Sequence, residues 1–504
     1  MTGEEGLSRR QFIPGALGAA AGLGVGGLIG YELRPETEPA AASKPEPAPT
    51  VCVGPREFQS FFTEPDLTPP VVRVTNLDPA SATSSPRFIL FAPRVVASAG
   101  DAQEGVMIVD RRGRLVWFMP IGTGTDFDFD AQSYNGRPVL TWWQGRLESA
   151  HGYGTGEIAD DAYRTIKTIR AGDGLQADLH ELALTSAGTA LITAYETTTA
   201  DLSSQGGSRN GKLVVGHAQE IDLKTGKLLF DWDSSKFVPI SESYELASRK
   251  GTYDYFHINS VAETDDGNLL ISGRKTWALY KVDRSTGKIL WRLNGKRSDF
   301  TLDTAARFYW QHHARALGSN TITLFDNALR KERQSRGLVL SLDTAAMHAS
   351  LEHAYVHPAG LDSTALGSVE LQPDGRVFVG WGDQPYFSEF APDGTLLLDG
   401  QLPIGFGSYR AFVRDWVGHP TGQPKILARA NPGGGFVVYA SWNGATEIDH
   451  WTILAGTDRM SLAAVGSQQW TGFETAIVVN STGPYFAAVA LDKNGNELAR
   501  SATA

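Results

Sequence analysis

The chain has 504 residues, enough for one large β architecture or several domains, with 55 glycines, 25 prolines and 12 tryptophans. Forty-five basic against 56 acidic residues give a net charge of −11 with no dominant basic stripe, which sets nucleic acid aside as a partner. The one cysteine, Cys52, permits no internal disulfide, so stability must come from packing.

At the N-terminus, Ser8-Arg9-Arg10-Gln11-Phe12-Ile13 matches the twin-arginine export pattern and is followed by an uncharged stretch, 12–31, rich in Gly, Ala and Leu. Residues 1–34 are therefore expected to be a signal or an anchor, with the protein exported to the periplasm, the exterior or the outer face of a membrane. Ala40-Ala41-Ala42 is the candidate cleavage site, but it lies far from the apolar stretch, and an uncleaved signal would act as a single membrane anchor. Residues 35–54, rich in Pro, Ala and Glu, read as a disordered spacer. Cys52 does not follow an apolar run closely enough to be a lipidation site.

From residue 55 onward, short Val/Ile/Leu/Trp runs alternate with Gly, Asp and Asn corners, and long stretches of helical period are hard to find, so the class is all-β. A Gly turn before an apolar strand recurs as DRRGRLVW (110–117), TGKLLF (225–230), TGKILW (286–291), PDGTLL (392–397) and KNGNEL (493–498). The clearest neighbours are about 50 to 60 residues apart, room for four short strands, which predicts a β-propeller of four-stranded blades numbering between six and eight. After about residue 420 the regularity weakens, and SWNGATEIDHW (441–451) does not fit it, so 420–504 is either a last blade or a separate small β module. A β-sandwich array is the competing architecture.

Three successive repeats carry a histidine at the same place: ADLHELALTSAGTALITAYE (177–196), YFHINSVAETDDGNLLISGRK (255–275) and YWQHHARALGSNTITLFDN (309–327). Each reads as a hairpin, in which the start of the first strand lies beside the end of the second. His180 should then sit near Tyr195, His257 near Arg274, and His312 near Asp326 or Asn327. In a radial arrangement these groups meet on one face around one axis, with Trp142, Trp143, Tyr309 and Trp381 as candidate ring platforms. Aromatic walls around imidazole and cationic groups suit an aromatic anion. Three imidazoles can also hold zinc, but the fixed charge of Arg274 opposes a dication, with Glu181 and Asp326 the available outer carboxylates. No metal and no cofactor are expected, and there is no P-loop, dinucleotide fingerprint or nucleophile elbow. His353 and His357 read as surface or edge residues.

The ordered set Asp178-Leu179-His180, His257-Ile258-Asn259-Ser260, Ser272-Gly273-Arg274 and Gln311-His312 resembles the motifs of bacterial aryl sulfate sulfotransferases. The similarity runs from about Val71 to the C-terminus and is strongest over 178–327. That resemblance implies a six-bladed propeller and sulfuryl transfer from an aryl sulfate to a phenol, independent of a nucleotide sulfate donor. It also implies a transiently sulfated histidine, here His312, supported by His180, His257 and Arg274, with Asn259, Asn327, Tyr195 and Trp381 as candidate substrate contacts. His313 beside His312 departs from the pattern, as do the missing disulfide and the twin-arginine-like signal. The alternative from a different class is an exported, non-enzymatic propeller scaffold. A quinone-dependent dehydrogenase and an aryl sulfate hydrolase are further variants.

Overall fold

A computed structural model of the chain describes residues 57–84, 87–97, 102–329 and 334–504. The expected signal, cleavage site, spacer and Cys52 lie outside the described residues.

Asp-led corners set the strand rhythm. In the corner 222–227, the Asp222 carboxylate accepts from the Thr225 N–H and hydroxyl, and Gly226 takes φ +72°, a left-handed value that glycine adopts without a Cβ clash. The corner 283–288 repeats this with Asp283, Thr286 and Gly287 at φ +71°. Between corners, alternating Val, Ile, Leu and aromatic residues pack face to face; Trp143, Trp232 and Trp381 are fully buried.

The strands assemble into successive four-stranded antiparallel units, a β-propeller. One begins with Thr125–Tyr134 and continues through Arg137–Glu148, His151–Ala159 and Thr165–Ile169; the next runs from Ala177–Leu184 through Thr189–Ala200 and Gly211–Asp222 to Leu228–Asp233. Three more begin with Ile258–Glu263, His312–Leu317 and Ser368–Leu371. The remaining sheet is closed by both ends of the ring: Phe406–Arg414 pairs with Phe88–Val95, which continues to Gly105–Asp110 and Leu115–Pro120. Each leading strand contacts the leading strand of the following unit, and Phe406–Arg414 contacts Thr125–Tyr134, so that among the described residues six such units close into a ring. This latch ties the two ends of the propeller together and leaves no open end between first and last units.

After the latch, residues 425–500 build two further sheets: Lys425–Ala430, Phe436–Ser441 and Glu474–Val479, and Ser461–Gln469, His450–Asp458, Tyr485–Leu491 and Glu497–Arg500. Their inward side chains, Val438, Trp451, Ile453, Ile477 and Phe486 among them, form a core of their own. Asn443 covers the outer edge of the propeller strand Leu115–Pro120: its amide oxygen accepts from the Phe118 N–H, and its NH2 donates to the Phe118 carbonyl.

Candidate functional site

The three repeat hairpins bring their histidines to one place, and each leading strand is irregular just there. Pairing register slips between Ala177 and Leu182, between Ile258 and Ser260, and between His312 and Arg315. Such bulges bend the strand and re-aim side chains, and here His257 (φ 52°) and His313 (φ 50°) adopt left-handed backbone at or beside them. The His180 and His257 rings meet edge to face at 5.0 Å, Tyr195 lies 6.1 Å from each, and Tyr409 of the latch strand stands 5.6 Å from His180 and 6.5 Å from His312.

His312 is the most completely specified of the three. The Asn327 NH2 donates to the carbonyls of Ser363 (3.1 Å) and Leu366 (3.0 Å), so its amide oxygen must face His312 Nδ1, 2.6 Å away. An amide oxygen only accepts, which assigns the proton to Nδ1 and the lone pair to Nε2. The Leu366 N–H, 3.3 Å from Nε2, points at that lone pair. Burial, reinforced by the nearby Arg274 cation, holds the imidazole well below its usual range, so it is neutral at physiological pH.

His180 and His257 are each held by a carboxylate that precedes them in the chain. Asp178 Oδ2 accepts from His180 Nδ1 at 2.5 Å and from the Thr193 hydroxyl, while its other oxygen accepts from the Gly152 N–H. Asp254 Oδ2 accepts from His257 Nδ1 at 2.6 Å, and Oδ1 takes the His257 N–H. Both rings therefore keep Nε2 for other partners. Burial drives His257 down to about 3 against the pull of Asp254. Asp254 stays well below the usual carboxylate range: burial opposes the shift, and Lys275 and His257 outweigh it.

Arg274 follows at the end of the His257 hairpin, its N–H donating to the His257 carbonyl. Its guanidinium lies 4.9 Å over the Trp310 ring and gives one N–H to the Thr364 carbonyl. Two side chains of the latch strand reach the backbone of the histidine-bearing strands. The Tyr409 hydroxyl and Arg410 both donate to the carbonyls of His180 and Asn259, and Arg410 pairs with Glu181 and Asp128. Burial raises the Asp128 carboxyl to about 7, while on Glu181 burial is outweighed by Arg315 and Arg410, which lower it.

Several sequence expectations meet a different arrangement. The carboxylates on the histidines are Asp178 and Asp254; Glu181 binds Arg315 and Arg410, and Asp326 binds Arg336 and the Tyr309 N–H. Tyr195 stands beside the imidazoles, but its hydroxyl is committed to the Ile258 carbonyl. Asn259 is fully buried, its NH2 on the Gln311 carbonyl. Trp381 is not brought to the cluster: it packs edge to face on Phe325 with its indole N–H on Ser388. Trp142 and Trp143 likewise belong to two apolar cores, and Tyr309 packs on the edge of Trp277. His357 is no surface residue. Its side chain is buried, and His357 Nε2 reaches Asp399 at 3.0 Å beside Trp381. His313 turns away from His312 and packs near Phe412, with Nδ1 at the Val369 backbone.

Sequence reasoning missed His151. It opens the third strand of its unit, outside the repeat register, and places Nε2 3.1 Å from Asp254 Oδ2 with its ring 4.1 Å from Tyr195. The Asp178 and Asp254 signals were visible as DLH and DYFH, an Asp two or three residues before each histidine. Among the described residues, His151, Asp254 and His257 bring three metal-ligand atoms within 4.8 Å. The N···O distances of 2.6 and 3.1 Å are those of hydrogen bonds, and Lys275, 3.6 Å from the shared oxygen, already supplies a cation there.

Solved structures similar to this chain include three bacterial proteins. A protein of unknown function from Bacteroides caccae is 12% identical, with 65% of this chain and 98% of that one covered and a TM-score of 0.40. The periplasmic gluconolactonase of Pseudomonas aeruginosa is 12% identical, covering 78% and 99%, TM-score 0.35. Virginiamycin B lyase of Staphylococcus aureus is 8% identical, covering 65% and 87%, TM-score 0.31. No curated protein matches the sequence. The family model described as arylsulfotransferase (ASST) matches residues 130–402, more than half of the chain, and that span holds His151, His180, His257, Arg274, His312 and Asn327. The chain belongs to the arylsulfotransferase family.

Proposed function

We propose that this protein moves a sulfuryl group from an aryl sulfate to a phenol by a ping-pong reaction through a sulfated His312, with no nucleotide sulfate donor. The observation that carries the reading is the Asn327 amide, which leaves a neutral His312 with its lone pair on Nε2 beside the Arg274 guanidinium. In the first half-reaction Nε2 attacks sulfur, the N–S bond forms, and the S–O bond to the aryl group breaks with its electron pair passing to the phenolate. Arg274 meets the charge spread over the sulfuryl oxygens, as a guanidinium fork suits two of them. In the second half-reaction a phenol oxygen bonds to sulfur, the N–S bond breaks, and the phenol proton passes to His257 Nε2. Burial keeps His257 unprotonated and ready as that base. Export by the twin-arginine route would place the reaction outside the cytoplasm.

Peptide mass spectrometry after brief mixing with 4-nitrophenyl sulfate tests the mechanism. Released nitrophenol with one sulfuryl group on the peptide holding His312, absent in His312→Ala, is the expected result. Neither phenol nor adduct across a panel of aryl sulfates would refute it and favour a binding scaffold. Adduct decay that yields free sulfate with or without a phenol would make the protein a sulfatase.

A further inference from the structure

The site contains a fourth imidazole. His151 is carried in by the hairpin Arg137–Glu148 to His151–Ala159, whose ladder runs to the pair Glu148 and His151. The two residues between them, Ser149 (φ 52°) and Ala150 (φ 68°), both hold left-handed backbone without being glycine. That conformation suits a two-residue hairpin turn but is disfavoured for residues with a Cβ. Non-glycine residues stay in such conformations where the surroundings over-determine them, a condition that recurs at functional sites. Farther down the hairpin, Gly154 pairs with Ala177 of the His180 strand, which aligns the His151 end with the histidine cluster.

We propose that His151 is a positioning residue of sulfuryl transfer: by donating Nε2–H to Asp254 Oδ2 it shares that carboxylate with His257 and keeps His257 a weak, neutral base with Nε2 free. This rests on the transfer reading above. One oxygen, Asp254 Oδ2, lies 2.6 Å from His257 Nδ1, 3.1 Å from His151 Nε2 and 3.6 Å from Lys275 Nζ. Every donor on that oxygen withdraws charge that would otherwise stabilise a protonated His257. The groups facing the two rings are known on all sides. His151 meets Asp254, Asp178, Lys275 and, at 5.5 Å, the His257 ring, with Tyr195 tilted against it; His257 meets Asp254, His180, Arg274 and Tyr195. Burial acts against charge on His151, but its hydrogen bond to Asp254 prevails and raises it above the ordinary histidine range, the opposite of His257.

The test uses two variants of the full chain. His151→Phe keeps a ring against Tyr195 and removes the donor, whereas His151→Gln places an amide N–H near the position of Nε2. The acid limb of the desulfation half-reaction, measured by single turnover of the sulfated protein with a phenol, should rise by at least one pH unit in His151→Phe. It should stay within about half a unit of wild type in His151→Gln. Titration of His257 by ¹⁵N NMR of histidine-labelled protein should show the same pair of results without any turnover. Coincident limbs in all three proteins, or His151→Gln behaving like His151→Phe, would overturn the proposal, as would a rate loss uniform across pH. If wild type forms no sulfated His312, the transfer reading fails, and the NMR titration still decides whether His151 sets the basicity of His257.

Discussion

Replacing Asn327 by Leu isolates the feature on which the transfer chemistry depends. The shapes are similar, but three hydrogen bonds disappear: the His312 Nδ1 contact at 2.6 Å and the two donations to Ser363 and Leu366. A net hydrogen bond contributes about 1 kcal/mol, and stranding a buried partner costs about 1–3 kcal/mol. His312 can avoid stranding its proton only by moving it to Nε2, the nitrogen that must attack and that faces the Leu366 N–H, so the productive tautomer loses the partner that selects it. Together with looser aim, a barrier increase of about 2 kcal/mol is expected, or about 30-fold in the rate of His312 sulfation. Rapid-mix mass spectrometry of the adduct reads this rate directly, and KM for the aryl sulfate should hardly change. Asn327→Asp is the control. Its carboxylate still accepts from Nδ1 but makes His312 more basic, so its sulfation should recover as pH rises and fall at acid pH. A folded Asn327→Leu protein that is sulfated within twofold of wild type would refute the tautomer argument.

Burial of His257 down to about 3 gives pH dependence a definite sign. Its Nε2 binds a proton only at acid pH, so for a poor leaving group such as unsubstituted phenyl sulfate, kcat/KM should rise as pH falls from 8 towards 5. For 4-nitrophenyl sulfate, whose phenolate needs little protonation, it should stay flat; a shared limb near the ordinary histidine value of about 6.5 would contradict this. Arg274→Lys keeps charge but loses both the fork and the stacking on Trp310, and should lower kcat/KM by about 100-fold, with excess guanidinium restoring part of the loss. Arg410→Leu leaves Asp128 buried without its main cation and Glu181 with Arg315 alone, and should destabilise the fold by about 3–5 kcal/mol, read as a lower Tm. An unchanged Tm would show that the surroundings of Arg410 relax to admit water.

The repeat spacing, the Asp- and Gly-marked corners and the alternating strands made an all-β propeller legible in the chain. So were the approach of His180 to Tyr195, of His257 to Arg274 and of His312 to Asn327, because hairpin pairing is local and its register follows from a few turn residues. The DLH and DYFH spacings carried the Asp–His pairs in the same local way.

What the chain alone left open depends on contacts between distant segments. Phe406–Arg414 pairs back to Phe88–Val95, and only that closure brings Tyr409 and Arg410 to the His180 and Asn259 carbonyls. His151 enters from an adjacent unit over a strained turn, so no repeat register marked it. Trp381 and His357 show the converse: an aromatic or an imidazole near a strand end can face a core as readily as a channel, and burial decides between them. Local pattern determined which residues share a hairpin. The tertiary ring decided which side chains meet, which nitrogen of each imidazole keeps its lone pair, and where charge can reside, because hydrogen-bond partners and desolvation exist only once the units close on one another.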